Sequence, residues 1–364
     1  MKKLLVTSAL AGVMIGGSAL AQTSVTGELR IGYKAISNDN VAASNRGFGT
    51  EQQINIQTKG KTNIGWDYAA GFSLENDGNE ATQSGTLFNE NVYMDFINGN
   101  TTLTIGRDHI QRSDSARSNG VLFGYDPRDV VDGVSSIASD SSILFQQNIG
   151  AAPSQNFGIG IVQNAPGIGS FSINFVPENS AAVAASEASQ NNGGKSAYEV
   201  GFVGDLGVKG LNVYAFKHEE SAIRDLNNVV NTNAKKLEGE NYGIKYTMGQ
   251  ITAGYTRKES NGGGTIGSTA IKSSGIDVKE NHFGLAYAVN NNLTIGANLF
   301  RAEAKGVDAA AYNQEAEIKV VQVGYNLGPV ALTAGYAKAE NLDGSTSATH
   351  DVDGIGFVRL IGAF

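Results

Sequence analysis

The stretch from Val25 to Lys34, VTGELRIGYK, alternates apolar and polar side chains with a period of two residues. In an extended strand, Leu29 and Ile31 would lie on one face, and Glu28 and Arg30 on the other. The same alternation recurs along the chain, and a helical period hardly competes with it after residue 21. The sequence therefore predicts an all-β protein made of amphipathic strands.

The alternating segments predict sixteen strands, an even number that returns both chain ends to one rim of a closed sheet. A further strand over Ser141–Gln147 would make eighteen the alternative count. Most segments have the roughly 9 to 11 residues that a tilted membrane-spanning strand needs. The predicted strands are 24–35, 51–60, 63–75, 88–97, 100–107, 155–163, 168–177, 195–205, 209–219, 238–248, 250–259, 279–289, 292–303, 314–327, 329–340 and 352–364.

The connections between these strands alternate between short and long. Short ones such as Asn98–Asn100 and Asn290–Asn292 are rich in Asn and Gly, as tight hairpins require. Long ones such as Glu178–Gly194 and Ser260–Val278 are polar and rich in Ser, Asn and Gly. An up-and-down barrel in an outer membrane has short turns on one rim and long loops on the other, so this order favours such a barrel over a sandwich.

The composition excludes several other classes of protein. Hydrophobic residues make up 41% of the chain and the mean hydropathy is −0.17, which is too polar for a bundle of membrane helices. The absence of cysteine excludes disulfides, thiolate metal sites and a cysteine nucleophile. The 47 glycines are an unusually high number, and many of them fall inside predicted strands.

The N-terminus predicts export. Lys2 and Lys3 precede an apolar run, and Ala19-Leu20-Ala21 resembles a cleavage site, so residues 1–21 are expected to be a cleaved signal peptide and 22–364 one barrel domain. The chain has 27 basic and 35 acidic side chains; without Lys2 and Lys3 the count is 25 against 35, a net charge of −10. This acidity argues against nucleic acid as a partner.

The alternation alone does not say which face of the sheet meets water. Aromatic side chains fall mainly on the apolar face and near strand ends, as the interfacial girdles of a membrane barrel require. Glycines such as Gly71, Gly201, Gly243 and Gly335 fall on the opposite face, where we expect a roomy, water-facing wall to tolerate them. The sequence therefore predicts apolar side chains outside and a polar interior.

Several segments, taken in their order along the chain, resemble those of the Gram-negative general porins, especially the alphaproteobacterial trimeric members of that family. The last strand, Gly354–Phe364, places Val358 and Leu360 on one face and ends on phenylalanine, as the insertion signal of the family does. Gly362 departs from the bulkier residue that is commoner there. Thr104–Arg107 resembles the strand end from which the third loop of these porins begins.

The resemblance implies an outer-membrane channel for passive diffusion of ions and small hydrophilic solutes. It also implies a homotrimer that contacts outer-membrane lipid and lipopolysaccharide. In these porins the third loop, here about 107–141, folds into the lumen and opposes acidic groups to basic groups of the wall. Opposed charges across a water-filled constriction orient polar solutes and repel apolar ones.

The alternation places four basic side chains on the lumen face of the wall: Arg30 and Lys34 in the first strand, Lys59 in the second and Arg359 in the last. Since the first and last strands are neighbours in a closed sheet, Arg30 and Arg359 are expected to share one patch. The loop residues expected at the constriction are Tyr125, Asp126, Asp129 and Asp132. The alternative is that these aspartates are solvated turn residues around Pro127.

The sequence contains no catalytic motif, and we expect neither an enzyme nor a cofactor. Acidic loops at Glu75–Glu80 and Asp351–Asp353 offer oxygen ligands suited to Ca²⁺, but hairpin turns use the same residue types. The histidines show no metal-binding spacing, so we expect them to be solvated strand or loop residues: His109, His218, His282 and His350.

Three other functions compete with a general porin. A substrate-selective channel would have a ladder of aromatic side chains along the pore, and Tyr214, Phe216 and Phe300 face the lumen only if no bulge shifts the register. A secreted β-rich adhesin or passenger domain would show a fixed repeat, which is not seen. A barrel enzyme would need a nucleophile with its base and an orienting group.

Overall fold

The computed structural model describes the strands, the short turns and one segment of the third long loop. The described residues are 22–37, 46–79, 88–107, 126–131, 157–177, 196–220, 237–261, 265–266, 269–270, 277–305, 315–342 and 351–364. The predicted signal peptide, 1–21, and the candidate strand Ser141–Gln147 lie outside these ranges. No helix in the described part of the chain is long and apolar enough to cross a membrane.

Eighteen strands and one short helix form the described structure. The helix is α1, Pro127–Val131. The strands are β1 Gln22–Ser37, β2 Arg46–Lys61, β3 Asp67–Asn79, β4 Phe88–Asn98, β5 Thr101–Gly106, β6 Gly158–Ala165, β7 Gly169–Val176, β8 Ala197–Gly204, β9 Leu211–Glu220, β10 Leu237–Met248, β11 Ile251–Asn261, β12 Thr265–Ile266, β13 Thr269–Ala270, β14 Asp277–Ala288, β15 Leu293–Lys305, β16 Ala316–Asn326, β17 Val330–Glu340 and β18 Val352–Ala363.

Sixteen of these strands close into an antiparallel barrel in which each strand pairs with its neighbours in the chain. The short strands β12 and β13 pair only with each other, so β11 is followed in the barrel by β14. Because β5 pairs directly with β6, the closed sheet has no place for a strand between them. The barrel confirms sixteen strands rather than eighteen.

The barrel closes between its first and last strands. Arg30 of β1 lies opposite Ile361 of β18, and Gly32 lies opposite Arg359. The amide of Gly27 donates to the carbonyl of Phe364 at 2.8 Å, and the amide of Phe364 donates back to Gly27 at 2.9 Å. No strand edge is therefore left unpaired at this seam, which is the condition for a sheet inside hydrocarbon.

The two faces of the sheet have the predicted inverted polarity. Outward side chains include Ile173 and Leu285, which are 61% and 56% exposed. Inward positions on the same strands carry polar residues such as Asn174 of β7 and Glu280 of β14. A soluble sandwich would place these faces the other way round. The arrangement confirms an apolar exterior around a polar interior.

The third strand begins later than its sequence indicated. Ile64 and Trp66 alternate like strand residues, but the structure places them in the turn between β2 and β3. Gly65 adopts a φ of +86° there, and the amide of Thr62 donates to the carbonyl of Trp66 at 2.8 Å. Local turn geometry overrides the alternation, and the prediction of a strand from residue 63 was wrong.

Several inward glycines have a different role from the expected one. The aromatic ring of a neighbouring strand lies against each of Gly71, Gly201, Gly243 and Gly335. The rings belong to Tyr93, Phe216, Tyr214 and Phe357, in that order. The interpretation of these four as glycines of a roomy wall was therefore wrong. The missing side chain leaves a recess that the ring of a neighbouring strand occupies, as in aromatic pairing with sheet glycines.

We expect Gly201→Ala to destabilise the barrel because its new methyl group would overlap the ring of Phe216. Overpacking of this kind costs about 1–3 kcal/mol. The matched control is Gly356→Ala, since a Cβ at Gly356 would meet no atom within 4 Å. The measurement is the temperature at which the folded band disappears in heat-modifiability gels. Equal midpoint temperatures for Gly201→Ala and Gly356→Ala would contradict the recess at Gly201.

Candidate pore constriction

A short helix of the third long loop lies inside the barrel. Asp126 precedes Pro127, which is favoured at the first position of a helix, and the amide of Val130 donates to the carbonyl of Asp126 at 3.1 Å. Val130 and Val131 are fully buried. They fix α1 to the wall through their side chains.

The helix packs on the inner face of β15, β16, β17 and β18. Its two valines join one apolar cluster with inward side chains of these strands, among them Phe300, Ile318 and Ile355. Complete burial of a valine contributes about 1.5–3 kcal/mol. This part of the third loop is therefore held in the lumen by apolar packing, as the predicted fold requires.

One basic residue of the wall also holds the helix. Lys34 of β1 donates a hydrogen bond from Nζ to the backbone carbonyl of Asp129. Carbonyls at the end of so short a helix have no partner within it, so an ammonium group there satisfies one of them. The structure thus brings together Lys34 and Asp129, two of the residues predicted at the constriction.

Arg30 is paired with acids of the wall. Its guanidinium forms ion pairs with Glu28, two residues earlier on β1, and with Glu51, which lies directly opposite on β2. The ion pair with Glu28 could have been predicted from the sequence, because the alternating pattern places Glu28 and Arg30 on the same face of β1. Glu51 could be found only from the register between β1 and β2.

Arg359 lies beside Arg30 on the inner wall, as predicted. Arg30 faces Ile361 and Arg359 faces Gly32, so the two arginines are offset by two residues across the β1–β18 seam. Arg359 is nearly buried, with Thr333 of β17 on its other side. Since α1 contacts β15 to β18, the two arginines and the helix share one sector of the wall.

The other predicted residues lie elsewhere. Lys59 is exposed and lies eight positions along β2 from Glu51, at the end of the strand next to the short turn. At about 3.4 Å per residue, this places it some 27 Å along the strand from the Arg30 pair. Tyr125 and Asp132 lie outside the described residues. An acidic loop face opposite the arginines therefore stays a prediction.

A polar network that sequence reasoning missed covers the inner face of β2, β3 and β4. Gln53 donates from Nε2 to Glu75 at 3.0 Å, and Ser73 donates from Oγ to Asn55 at 2.6 Å. Gln57 of β2 donates to the hydroxyl oxygen of Tyr93 on β4. The alternating pattern places all these side chains on the inward face. Which of them meet depends on the register between the strands, which the sequence alone does not give. They offer water and ions a hydrogen-bonding surface of low net charge.

A second polar strip on the wall is buried. Asn174, Glu199 and His218 lie directly opposite one another on β7, β8 and β9, and Asn174 donates to Glu199 at 3.0 Å. His218 is 2% exposed, and His282 of β14 is also buried. The expectation of solvated histidines was wrong for these two, because neighbouring inward side chains cover them; the ring of Phe300, for example, lies 5.8 Å from that of His282. His109 and His350 lie outside the described residues.

The three candidate residues of an aromatic ladder do face inward. The pairings of β9 and β15 with their neighbours show no register shift, so Tyr214, Phe216 and Phe300 keep their inward parity. All three are buried, and Tyr214 donates to Asn241 at 2.9 Å. These rings pack against the wall, so they do not present an exposed ladder to a solute.

The acidic segments considered for Ca²⁺ have other contacts. Glu75 accepts from Gln53, and Asp351 accepts from the amide of Asn341 at 2.7 Å. Among the described residues, no three His, Asp or Glu side chains are placed to hold a metal ion. Glu80 lies outside the described ranges.

Comparison with known proteins places the chain in a family. A family model described as Gram-negative porin matches residues 7–345. The chain is a Gram-negative porin. It is therefore an outer-membrane channel for passive diffusion, and the resemblance seen in its sequence is confirmed. The hypothesis of a secreted adhesin has no support.

Solved structures similar to the porin share its fold at low sequence identity. Salmonella typhi OmpF in complex with daunomycin has a TM-score of 0.63 and 13% identity, covering 94% of this chain and 98% of that chain. Vibrio cholerae OmpT lacking loop L8 has a TM-score of 0.64 and 13% identity, with coverage of 94% and 99%. The in-vitro folded trimer form of OmpT has a TM-score of 0.58 and 12% identity, with the same coverage. Among curated proteins, no sequence match was found.

Proposed function

We propose that this porin forms a homotrimer in which each barrel conducts ions and small hydrophilic solutes with little discrimination. The observation that carries the proposal is α1, which is anchored on the inner wall of a closed barrel whose interior is polar. A lumen with hydrogen-bonding walls conducts hydrated solutes, and a loop anchored inside it limits their size. The trimeric form of a similar structure supports the oligomeric state.

The proposed narrow region lies beside α1, with Lys34, Arg30 and Arg359 on the wall, Asp129 on the helix and Asp126 directly before it. Glu28 and Glu51 neutralise part of the basic charge next to Arg30. With a net charge of −10 after removal of residues 1–21, the proposed channel has a weak preference for cations.

The proposal includes export by a cleaved signal peptide, contact with outer-membrane lipid and lipopolysaccharide, and neither a cofactor nor catalysis. Membership of a channel family supports the absence of catalysis.

Planar-bilayer recording of the detergent-extracted porin tests this function. We expect insertions in conductance triplets, with reversal potentials in a salt gradient that indicate weak cation selectivity. Blockage by one sugar, peptide or anion at low concentration would instead support a substrate-selective channel. Insertions with one step only would contradict the trimer.

A further inference from the structure

The second polar strip, Asn174, Glu199 and His218, brings a carboxylate and an imidazole to directly opposite positions. His218 of β9 lies opposite Glu199 of β8, and Glu199 lies opposite Asn174 of β7. None of the three residues is more than 2% exposed. Since they come from three separate strands, their proximity leaves no spacing motif in the sequence.

The polar atoms of the second polar strip do not satisfy one another. Asn174 donates from Nδ2 to Glu199 at 3.0 Å. Among the described residues, Oδ1 of Asn174 and both ring nitrogens of His218 have no hydrogen-bond partner. Buried polar atoms are nearly always paired, so those that are not indicate a water molecule or an ion. The strip therefore has the character of a binding site.

The kinds of atoms in the strip favour a cation. If an N–H group of His218 pointed at Glu199, the two side chains would form a hydrogen bond, but neither ring nitrogen makes one. A neutral imidazole nitrogen, a carboxylate and an amide oxygen are all metal ligands. The negative charge of Glu199 would repel an anion.

The register places these atoms within reach of one ion. Directly opposite residues on antiparallel strands have Cβ atoms about 4.5–5.5 Å apart. Zinc binds nitrogen and oxygen at about 2.0–2.2 Å, so two ligand atoms in tetrahedral geometry lie about 3.4 Å from each other. The side chains of Glu199 and His218 are long enough to reach this separation. On its other side His218 faces Gly239 of β10, which has no side chain to compete for the imidazole.

One nearby cation opposes a metal ion, and an acidic residue offsets it. The positive charge of Lys258, two strands away on β11, acts on His218. Glu280 of β14 lies directly opposite Lys258 and is also buried. A carboxylate next to the ammonium group reduces its effect on a divalent ion at Glu199.

We propose that the second polar strip binds a divalent transition-metal ion of the Zn²⁺ type. Glu199 and His218 are its main ligands, and Oδ1 of Asn174 is the third. A nitrogen ligand favours Zn²⁺ over Ca²⁺ and Mg²⁺, which prefer oxygen. The ion joins β7, β8 and β9 near the long-loop rim. This inference goes beyond the proposed function: conduction needs no cofactor, and the ion is a structural ligand of the wall.

The test measures Zn²⁺ binding to the intact porin in detergent by titration calorimetry, after treatment with EDTA and dialysis. We expect one site per chain. Glu199→Gln and His218→Gln should each weaken Zn²⁺ binding about a hundredfold, since even the hydrogen-bond partners of a metal ligand contribute on the order of 10–100-fold. Asn174→Asp should strengthen it about tenfold, because a carboxylate replaces an amide oxygen.

The matched control is His282→Gln. His282 is also a buried, inward histidine, but it lies opposite Thr256 and Phe300 and not opposite a carboxylate. This variant should bind Zn²⁺ like the native porin. An equal loss with His282→Gln would overturn the site, as would unchanged binding in Glu199→Gln. Displacement of Zn²⁺ by Ca²⁺ at equal concentration would contradict a nitrogen ligand.

Heat-modifiability gels show whether each variant folds without metal and supply a second measurement. Zn²⁺ should raise the temperature at which the folded band of the native porin disappears, and it should not do so in Glu199→Gln. If the native porin binds no Zn²⁺, the proposal is wrong and water satisfies the strip. Absent conductance in planar bilayers would contradict the channel, whereas absent Zn²⁺ binding with normal conductance would contradict only this site.

Discussion

Replacing Val130 by aspartate is expected to raise the mean single-channel conductance of the porin and to make it fluctuate. Val130 is fully buried in the cluster that joins α1 to β15–β18. An unpaired carboxylate there would cost several kcal/mol, more than the burial of one valine contributes. The expected result is that α1 leaves the wall and the third loop moves in the lumen.

Planar-bilayer recording measures this effect, and Val130→Thr provides a graded comparison. Threonine has nearly the same shape, and its hydroxyl can bond a backbone carbonyl of its own helix, so a smaller change is expected. Current noise that increases from the native porin to Val130→Thr and then to Val130→Asp would support anchoring by apolar packing. Unchanged conductance and noise in Val130→Asp would show that other contacts hold the loop.

The double variant Arg30→Gln with Arg359→Gln is expected to increase cation selectivity. Two charges about 6 Å apart in water interact by roughly 0.7 kcal/mol, which changes a local ion concentration about threefold per charge removed. Glu51→Gln should act in the opposite direction, because it leaves Arg30 with one acidic partner, Glu28.

Reversal potentials in a tenfold salt gradient check both directions. Lys61→Gln serves as the control, since it removes a cation at the barrel rim. We expect its reversal potential to stay close to that of the native porin. If Arg30→Gln with Arg359→Gln behaved like this control, the two arginines would not lie along the ion path.

The strands and the polarity of the barrel could be predicted because they depend on local alternation. Leu29 and Arg30 fall on opposite faces in any extended strand. The proximity of Arg30 and Arg359 followed from closure alone. Ion pairing between Arg30 and Glu51 did not follow, because register in a hairpin with a long connection is set by pairing across the sheet.

Features that depend on a neighbouring strand could not be predicted in this way. The recess at Gly201 exists only because Phe216 lies opposite it on β9. Burial of His218 likewise reflects what surrounds it inside the barrel. The helix Pro127–Val131 is too short for a periodic signal, and Asp126-Pro127 is equally typical of a turn.

Replacement of a glycine that lies beneath an aromatic ring is a simple way for the pore diameter of this channel to change during evolution. Glycine codons become alanine or valine codons by a single base change. At Gly201, where the three nearest atoms to an added Cβ all belong to the side chain of Phe216, such a change would displace that ring toward the channel axis while the sheet keeps its backbone. A single mutation could therefore change the size of the solute that this channel admits.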